Sequence, residues 1–85
     1  MLIVEVMEFD KAKRRFTFLE RVLLAAVPSA GDKVILKIGP DEIIFKVYDV
    51  HYFNNNSIPK VNVIRLSSLN DYNSSGFSDI NYFAR

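Results

Sequence analysis

The chain has 85 residues, of which 49% are hydrophobic and 13% aromatic, with no cysteine and a formal net charge of +1. This length allows one core, and the apolar content exceeds that of a disordered chain, while the lack of cysteine excludes a disulfide framework and a thiolate metal site. The lack of cysteine also makes the cytoplasm the expected compartment. No stretch reaches the roughly 18 apolar residues of a membrane span, so we expect no membrane contact.

Alternating apolar and polar residues predict a strand over residues 2–9, followed by a polar turn. Residues 15–26 alternate as well, which we interpret as a second strand that returns antiparallel to the first, with Phe16 and Phe18 spaced like one core face.

A helix over residues 11–26 is the alternative for this segment. Its Leu, Ala, Glu and Arg content favours helix, and Asp10 is a suitable N-cap residue. Against the helix, four cations would occupy its first turn, where the helix dipole prefers acids.

The middle of the chain predicts three further strands, over residues 33–38, 42–53 and 59–66. A break at residues 28–32 precedes these strands, and a loop at residues 54–57 separates the last two. Gly39-Pro40-Asp41-Glu42 closes the hairpin between the first two, and we expect Pro40 in the second turn position.

Within residues 42–53 the apolar residues change phase. A β-bulge near Tyr48-Asp49 would bring Val47 and Val50 to the same side of the sheet. Bulges of this kind bend strands, which predicts a small, strongly curved barrel.

The last part of the chain, residues 67–85, loses all periodicity but keeps several aromatic residues. We therefore divide the chain into a β-barrel domain over residues 1–66 and a polar, aromatic tail that packs on it or on a partner. The end of the tail is compatible with a short helix capped by Ser78.

Residues 28–66, with Pro-x-x-Gly-Asp-x-Val, a hairpin and then "FKVYDVHY", resemble the small SH3-like β-barrels of short bacterial and phage proteins. The resemblance implies a fold and no activity, since such barrels host many functions. The fold class expected is mostly β, a five-stranded, strongly bent SH3-like barrel with a C-terminal tail or short helix. The alternative is α+β, with residues 11–26 helical against a β-meander.

We expect a non-catalytic protein-interaction or adaptor module, because Tyr and Phe side chains anchor interfaces and an open sheet edge accepts a partner strand. The partner is an unidentified protein or a second copy of the chain, and no cofactor is expected. The candidate contact residues are Tyr48, His51, Tyr52, Phe53, Tyr72, Phe77, Tyr82 and Phe83.

Nucleic-acid binding is the alternative function. The basic stretch over residues 11–15 places four cations next to aromatic residues, a combination suited to phosphate contacts and base stacking. Its candidate residues are Lys11, Lys13, Arg14 and Arg15. The net charge of +1 argues against this function, because dedicated binding domains are usually strongly basic.

We do not expect an enzyme. His51 is the only histidine, and Asp49 would share its face on a regular strand, although a bulge at Asp49 would break that alignment. No phosphate-binding glycine loop or nucleophile motif is present in the sequence.

Overall fold

The computed structural model describes residues 1–55, 57–68 and 71. They form one mixed sheet of five strands in the order β2-β1-β5-β4-β3, curled into a half-barrel, which confirms the mostly β fold. The strands are β1 (Leu2–Asp10), β2 (Arg15–Leu24), β3 (Lys33–Ile38), β4 (Asp41–His51) and β5 (Lys60–Ser68).

The first and last strands meet in the middle of the sheet. β1 and β5 are parallel over four residue pairs, from Glu5 opposite Lys60 to Glu8 opposite Val63. The three other strand pairings are antiparallel. The sheet therefore depends on contacts between residues more than 50 positions apart in the chain.

The helix predicted as the alternative over residues 11–26 is wrong, because β2 occupies Arg15–Leu24. Asp10, considered as its N-cap, caps a hairpin turn instead: its carboxylate accepts hydrogen bonds from the amides of Ala12 and Lys13 at 2.9 and 3.1 Å. The chemistry is the same as that of a helix cap, but Arg14 with φ of 54° turns the chain back to pair with β1.

The two later turns form where the sequence predicts breaks. Gly31 has φ of 92°, and its amide donates to the carbonyl of Val47 at 2.8 Å, which joins the turn to β4. The β3–β4 turn is tighter than expected, because Ile38 pairs with Asp41. Gly39, with φ of 61°, takes the first central position, and Pro40 takes the second central position, which is the third turn position and not the second one expected for it. A two-residue hairpin turn favours a positive φ at that first position, which only glycine adopts without strain.

The bulge predicted in β4 is confirmed. Val47 lies opposite Val63 and Asp49 opposite Asn62, which leaves Tyr48 without a partner in the register. Val50 consequently returns to the same side as Val47 and packs against the core.

A second bulge, in β2, overturns the expectation that Phe16 and Phe18 face the core. Phe18 lies opposite Met7 and Glu20 opposite Val6, which leaves Leu19 as the extra residue. Side chains alternate between the two faces of a strand, so the extra residue moves both phenylalanines to the face opposite Val4 and Val6. Phe18 is accordingly 58% exposed.

The core lies on the inner side of the curled sheet, which we call the core face; the opposite side is the outer face. Phe45 is its largest fully buried side chain. All five strands contribute, and the buried cluster consists of Val4, Val6, Leu36, Ile43, Phe45, Val47, Val61 and Val63, with Leu19, Val22, Leu24, Val27, Val34, Ile38 and Val50 packed around it.

β5 continues to Ser68, two residues past the predicted end of the last strand. Most of the tail predicted over residues 67–85, including the helix cap proposed for Ser78, lies outside the described residues.

Candidate interaction surfaces

The predicted contact residues of β4 fall into two places. Tyr48 protrudes at the bulge and is 59% exposed, whereas His51, Tyr52 and Phe53 lie at the end of the strand and just beyond it. All four are exposed. The other predicted contact residues, Tyr72, Phe77, Tyr82 and Phe83, lie outside the described residues.

A polar cluster joins β4 to β5 on the outer face. Asn62, which is 7% exposed, donates from Nδ2 to Oδ1 of Asp49 at 2.7 Å. His51 Nε2 lies 3.2 Å from Oδ2 of Asp49 and 3.4 Å from Nδ2 of Asn62. The bulge falls at Tyr48, so Asp49 and His51 keep the shared face that a bulge at Asp49 would have removed.

The hydrogen bond from Asn62 lowers the pKa of Asp49, and the hydrogen bond and charge of His51 lower it further, although desolvation acts in the opposite direction. The cluster thus holds an ionised carboxylate and offers a histidine to solvent. The sequence did not predict the part played by Asn62, because its partner lies 13 residues away across the β4–β5 pairing.

The predicted basic residues, Lys11, Lys13, Arg14 and Arg15, lie together at the tip of the β1–β2 hairpin, and all are exposed. Among the described residues none of the four has an acidic partner. The hairpin turn therefore presents four positive charges to solvent.

Three aromatic rings lie at the foot of that turn. The rings of Phe9 and Phe16 meet edge to face with centroids 5.3 Å apart, and Phe16 lies 5.8 Å from the ring of Tyr48 on β4. We call Phe9, Phe16 and Tyr48 the aromatic cluster. The contact between Phe9 and Phe16 could have been predicted from the sequence, because closing the turn between Asp10 and Arg15 makes these two residues cross-strand neighbours.

A cleft of about 580 Å³ opens on the outer face beside the β4–β5 loop. The register sets Arg21, Glu5 and Lys60 side by side there, with Arg21 Nη2 at 3.0 Å from the Glu5 carboxylate. The ammonium of Lys60 lies 5.8 Å from the ring centroid of Phe53. Glu5 and Arg21 neutralise each other, and Lys60 gives the described lining of the cleft one net positive charge.

The two edges of the sheet differ. Within the described residues β2 pairs only with β1, and β3 pairs only with β4. β3 has six residues and carries Lys33 and Lys37, whereas β2 has ten residues and exposes Phe18 and Leu23. Short length discourages an edge strand from pairing with other chains, and β2 lacks that protection, although it carries Arg15, Glu20 and Arg21.

Neither a metal site nor a membrane span is found in the part of the chain that the structure describes. It contains no group of three or more acidic or histidine side chains placed to hold a metal ion. None of its segments is a helix of the length and apolar character needed to cross a membrane.

Comparisons with protein-family models, with curated proteins and with solved structures returned no match. The structure confirms one part of the resemblance to SH3-like barrels, namely a small, curled sheet of five strands.

Proposed function

We propose that this chain is an SH3-like, non-catalytic protein-interaction module of the cytoplasm, which needs no cofactor and binds by adding a partner strand to β2. The observation that carries the proposal is the outer edge of the ten-residue strand β2, which pairs with no other strand than β1 among the described residues. Such an edge presents alternate backbone N–H and C=O groups, and a partner strand satisfies them as the next member of the sheet.

Exposed apolar side chains next to this edge support the proposal. Phe18 and Leu23 are 58% and 59% exposed, and Ile3, which lies opposite Leu23 on β1, is 49% exposed. All three lie on the outer face. In strand addition the backbone hydrogen bonds supply affinity and alternate side chains supply specificity, so these residues would select the partner.

The strand that best fits this edge is β2 itself. Phe18 lies opposite Met7 of β1, Arg21 opposite Glu5 and Leu23 opposite Ile3, so Phe18 and Leu23 stand two positions on either side of Arg21. The bulge creates this symmetry. Phe18 precedes Arg21 by three residues, but Leu19 occupies no position in the register, so the two residues are only two pairing positions apart.

An antiparallel copy related by a two-fold axis at Arg21 would therefore place Phe18 opposite Leu23 twice, and Thr17 opposite Leu24 twice. Residues directly opposite in an antiparallel pair share a face, so the exposed apolar side chains would cover one another. The resulting interface is isologous, as in most homodimers.

The charges along the edge permit this pairing. Arg21 would lie opposite its own copy, but each Arg21 already binds Glu5, with Nε and Nη2 both 3.0 Å from Oε2. Two neutral ion pairs would then meet at the axis instead of two isolated cations. We therefore propose a second copy of the chain as the partner.

Engineered cysteines test this register, because the chain has no cysteine of its own. Cα atoms directly opposite in an antiparallel pair are about 4.5–5.5 Å apart, within the range of about 4.4–6.8 Å that a disulfide spans. We expect a mixture of Phe18→Cys and Leu23→Cys proteins to form the mixed disulfide dimer on mild oxidation, measured by mass spectrometry.

Each of these variants alone should crosslink poorly. In a dimer of one variant, the cysteine of one copy would lie four positions away from the cysteine of the other copy along the pairing. Ile35→Cys on β3 is the matched control, since Ile35 is 50% exposed on the other edge. Equal crosslinking of Ile35→Cys and the mixture, or a wild-type protein that sediments as a monomer at millimolar concentration, would rule out the β2 dimer.

A further inference from the structure

The hairpin tip and the aromatic cluster together form a surface that the β2 edge does not use. Its charged part is the turn, where Lys11, Lys13, Arg14 and Arg15 are exposed and have no acidic partner among the described residues. The nearest acid in the turn, Asp10, already accepts two backbone hydrogen bonds at Oδ1. The turn is therefore a concentrated positive charge on a protein of nearly zero net charge.

The apolar part is continuous with the charged part. Phe9 directly precedes the turn and Phe16 directly follows Arg15, so both rings lie within one or two residues of the cations. Tyr48 extends the rings to β4, with a tilt of 33° to Phe16, and is 59% exposed because the bulge turns it out of the pairing register. More than half of the surface of Tyr48 is therefore open to solvent.

We propose that this surface binds single-stranded nucleic acid, with phosphates held by the hairpin cations and a base stacked on Tyr48. Single strands bind where a cationic groove follows aromatic side chains, because every base has a face that can stack. A duplex keeps its bases stacked on one another, so Tyr48 would contribute nothing to duplex binding. The site shares only Arg15 and Phe16 with β2, and both lie outside the pairing proposed between Thr17 and Leu24.

The number of cations limits the strength and the salt dependence of binding. Four contacts to a single strand predict that the logarithm of the association constant falls with the logarithm of salt concentration with a slope of about −0.7 per contact, or roughly −3 in total. Between 50 and 200 mM salt, this corresponds to a loss of roughly fiftyfold in affinity.

Fluorescence anisotropy of a labelled twelve-nucleotide oligothymidine with the full chain tests the proposal. We expect micromolar binding at 50 mM salt, the salt slope given above and weaker binding of a duplex of the same length. Tyr48→Ala should weaken binding of the single strand about tenfold without changing the salt slope, because one stacked base is lost. Tyr48→Phe should keep the affinity, which separates stacking from a hydroxyl contact.

Two controls separate this site from general attraction to anions. Tyr52→Ala removes a tyrosine that is 68% exposed and directly follows β4, at the end of this strand that lies away from the hairpin tip, and it should leave binding unchanged. Lys13→Ser and Arg15→Ser combined should reduce the salt slope by about 1.4, whereas Lys37→Ser on β3 should leave it unchanged.

The proposal fails if Tyr48→Ala binds like the wild type, if Lys37→Ser has the effect of the hairpin variants, or if no binding is seen at 50 mM salt. It also fails if polyglutamate competes as well as the unlabelled oligonucleotide, which would make the turn a general anion-binding surface. A circular dichroism melt of each variant confirms that it is folded at the assay temperature.

Discussion

At the scale of single residues, the side chain with the most consequence outside the core is Asn62. Its amide is buried and is satisfied by Asp49, whose carboxylate is itself half exposed. A buried amide without a partner would be costly, so Asp49 and Asn62 stabilise each other across the β4–β5 pairing.

Replacing Asn62 by leucine removes the donor and should raise the pKa of Asp49 toward its usual value of 3.8. Because the pKa is lowered in the folded state, its contribution to stability is present above the unfolded value and is lost as pH falls through the folded value. The loss of unfolding free energy caused by Asn62→Leu should thus be larger at pH 6 than at pH 2.5.

Carbon-13 NMR of the Asp49 carboxyl follows the pKa directly, and urea denaturation at the two pH values follows the stability. Asn55→Leu, in the exposed loop after β4, is the control and should leave the titration of Asp49 unchanged. An unaltered Asp49 titration in Asn62→Leu would show that the hydrogen bond is not what lowers the pKa.

Two phenylalanines test which face of the sheet forms the core. Phe45 is fully buried, so Phe45→Ala should cost about 3–5 kcal/mol, which is a large part of the stability of a small domain. Phe18→Ala removes a ring that is 58% exposed and should cost less than about 1 kcal/mol. Urea denaturation compares the two, and similar losses would mean that Phe18 belongs to the core after all.

At the scale of the elements, bulges determine which residues a strand exposes. The extra residue in β4 returns Val50 to the core and turns Tyr48 outward, and the extra residue in β2 turns Phe16 and Phe18 outward. Both proposed binding surfaces depend on these two irregularities, since a regular β2 would have placed Phe18 and Leu23 on opposite faces.

The turn between β3 and β4 depends on the backbone of Gly39. A Cβ atom at this position would meet nothing within 4 Å, so Gly39→Ala tests backbone strain alone. With φ of 61°, we expect a loss of about 1 kcal/mol, measured by thermal denaturation. Gly39→Asn should lose less, because asparagine tolerates positive φ, and equal losses would point to a cause other than φ.

At the scale of the whole molecule, β5, the last strand in the described part of the chain, lies at the centre of the sheet. β5 pairs with β1 on one side and β4 on the other, and it supplies the buried Val61 and Val63. Pairing β1 with β5 closes a long loop, which is slow compared with forming a hairpin.

A fragment of residues 1–59 should therefore be unfolded, with no cooperative melt by circular dichroism, because its two remaining hairpins have no common core. Adding a synthetic peptide of residues 57–85 should restore a cooperative melt. A fragment that folds without β5 would show that the hairpins are stable independently of the sheet centre.

Much of this architecture could be predicted from local patterns. The five strands, the break at Pro28 and Gly31, and the bulge at Tyr48 follow from period-2 alternation and from the special backbone of proline and glycine. Phe16 and Phe18 were placed on the wrong face, because the bulge at Leu19 leaves no pattern that distinguishes it from regular alternation. The partner of Asn62 was likewise beyond prediction, since it depends on the register between two strands.

The amino-acid sequence by itself determined the class of fold, the position of the strands and turns, and the cationic hairpin, because each of these depends on residues near one another in the chain. Only the tertiary structure decided the strand order, the parallel pairing of β1 with β5, and the exposure of Phe18 beside an edge that has no partner strand within the described part of the chain. These features arise from pairings between distant residues, where one extra residue exchanges the two faces of a strand. The contact between Phe16 and Tyr48, which joins the hairpin to β4, has the same origin.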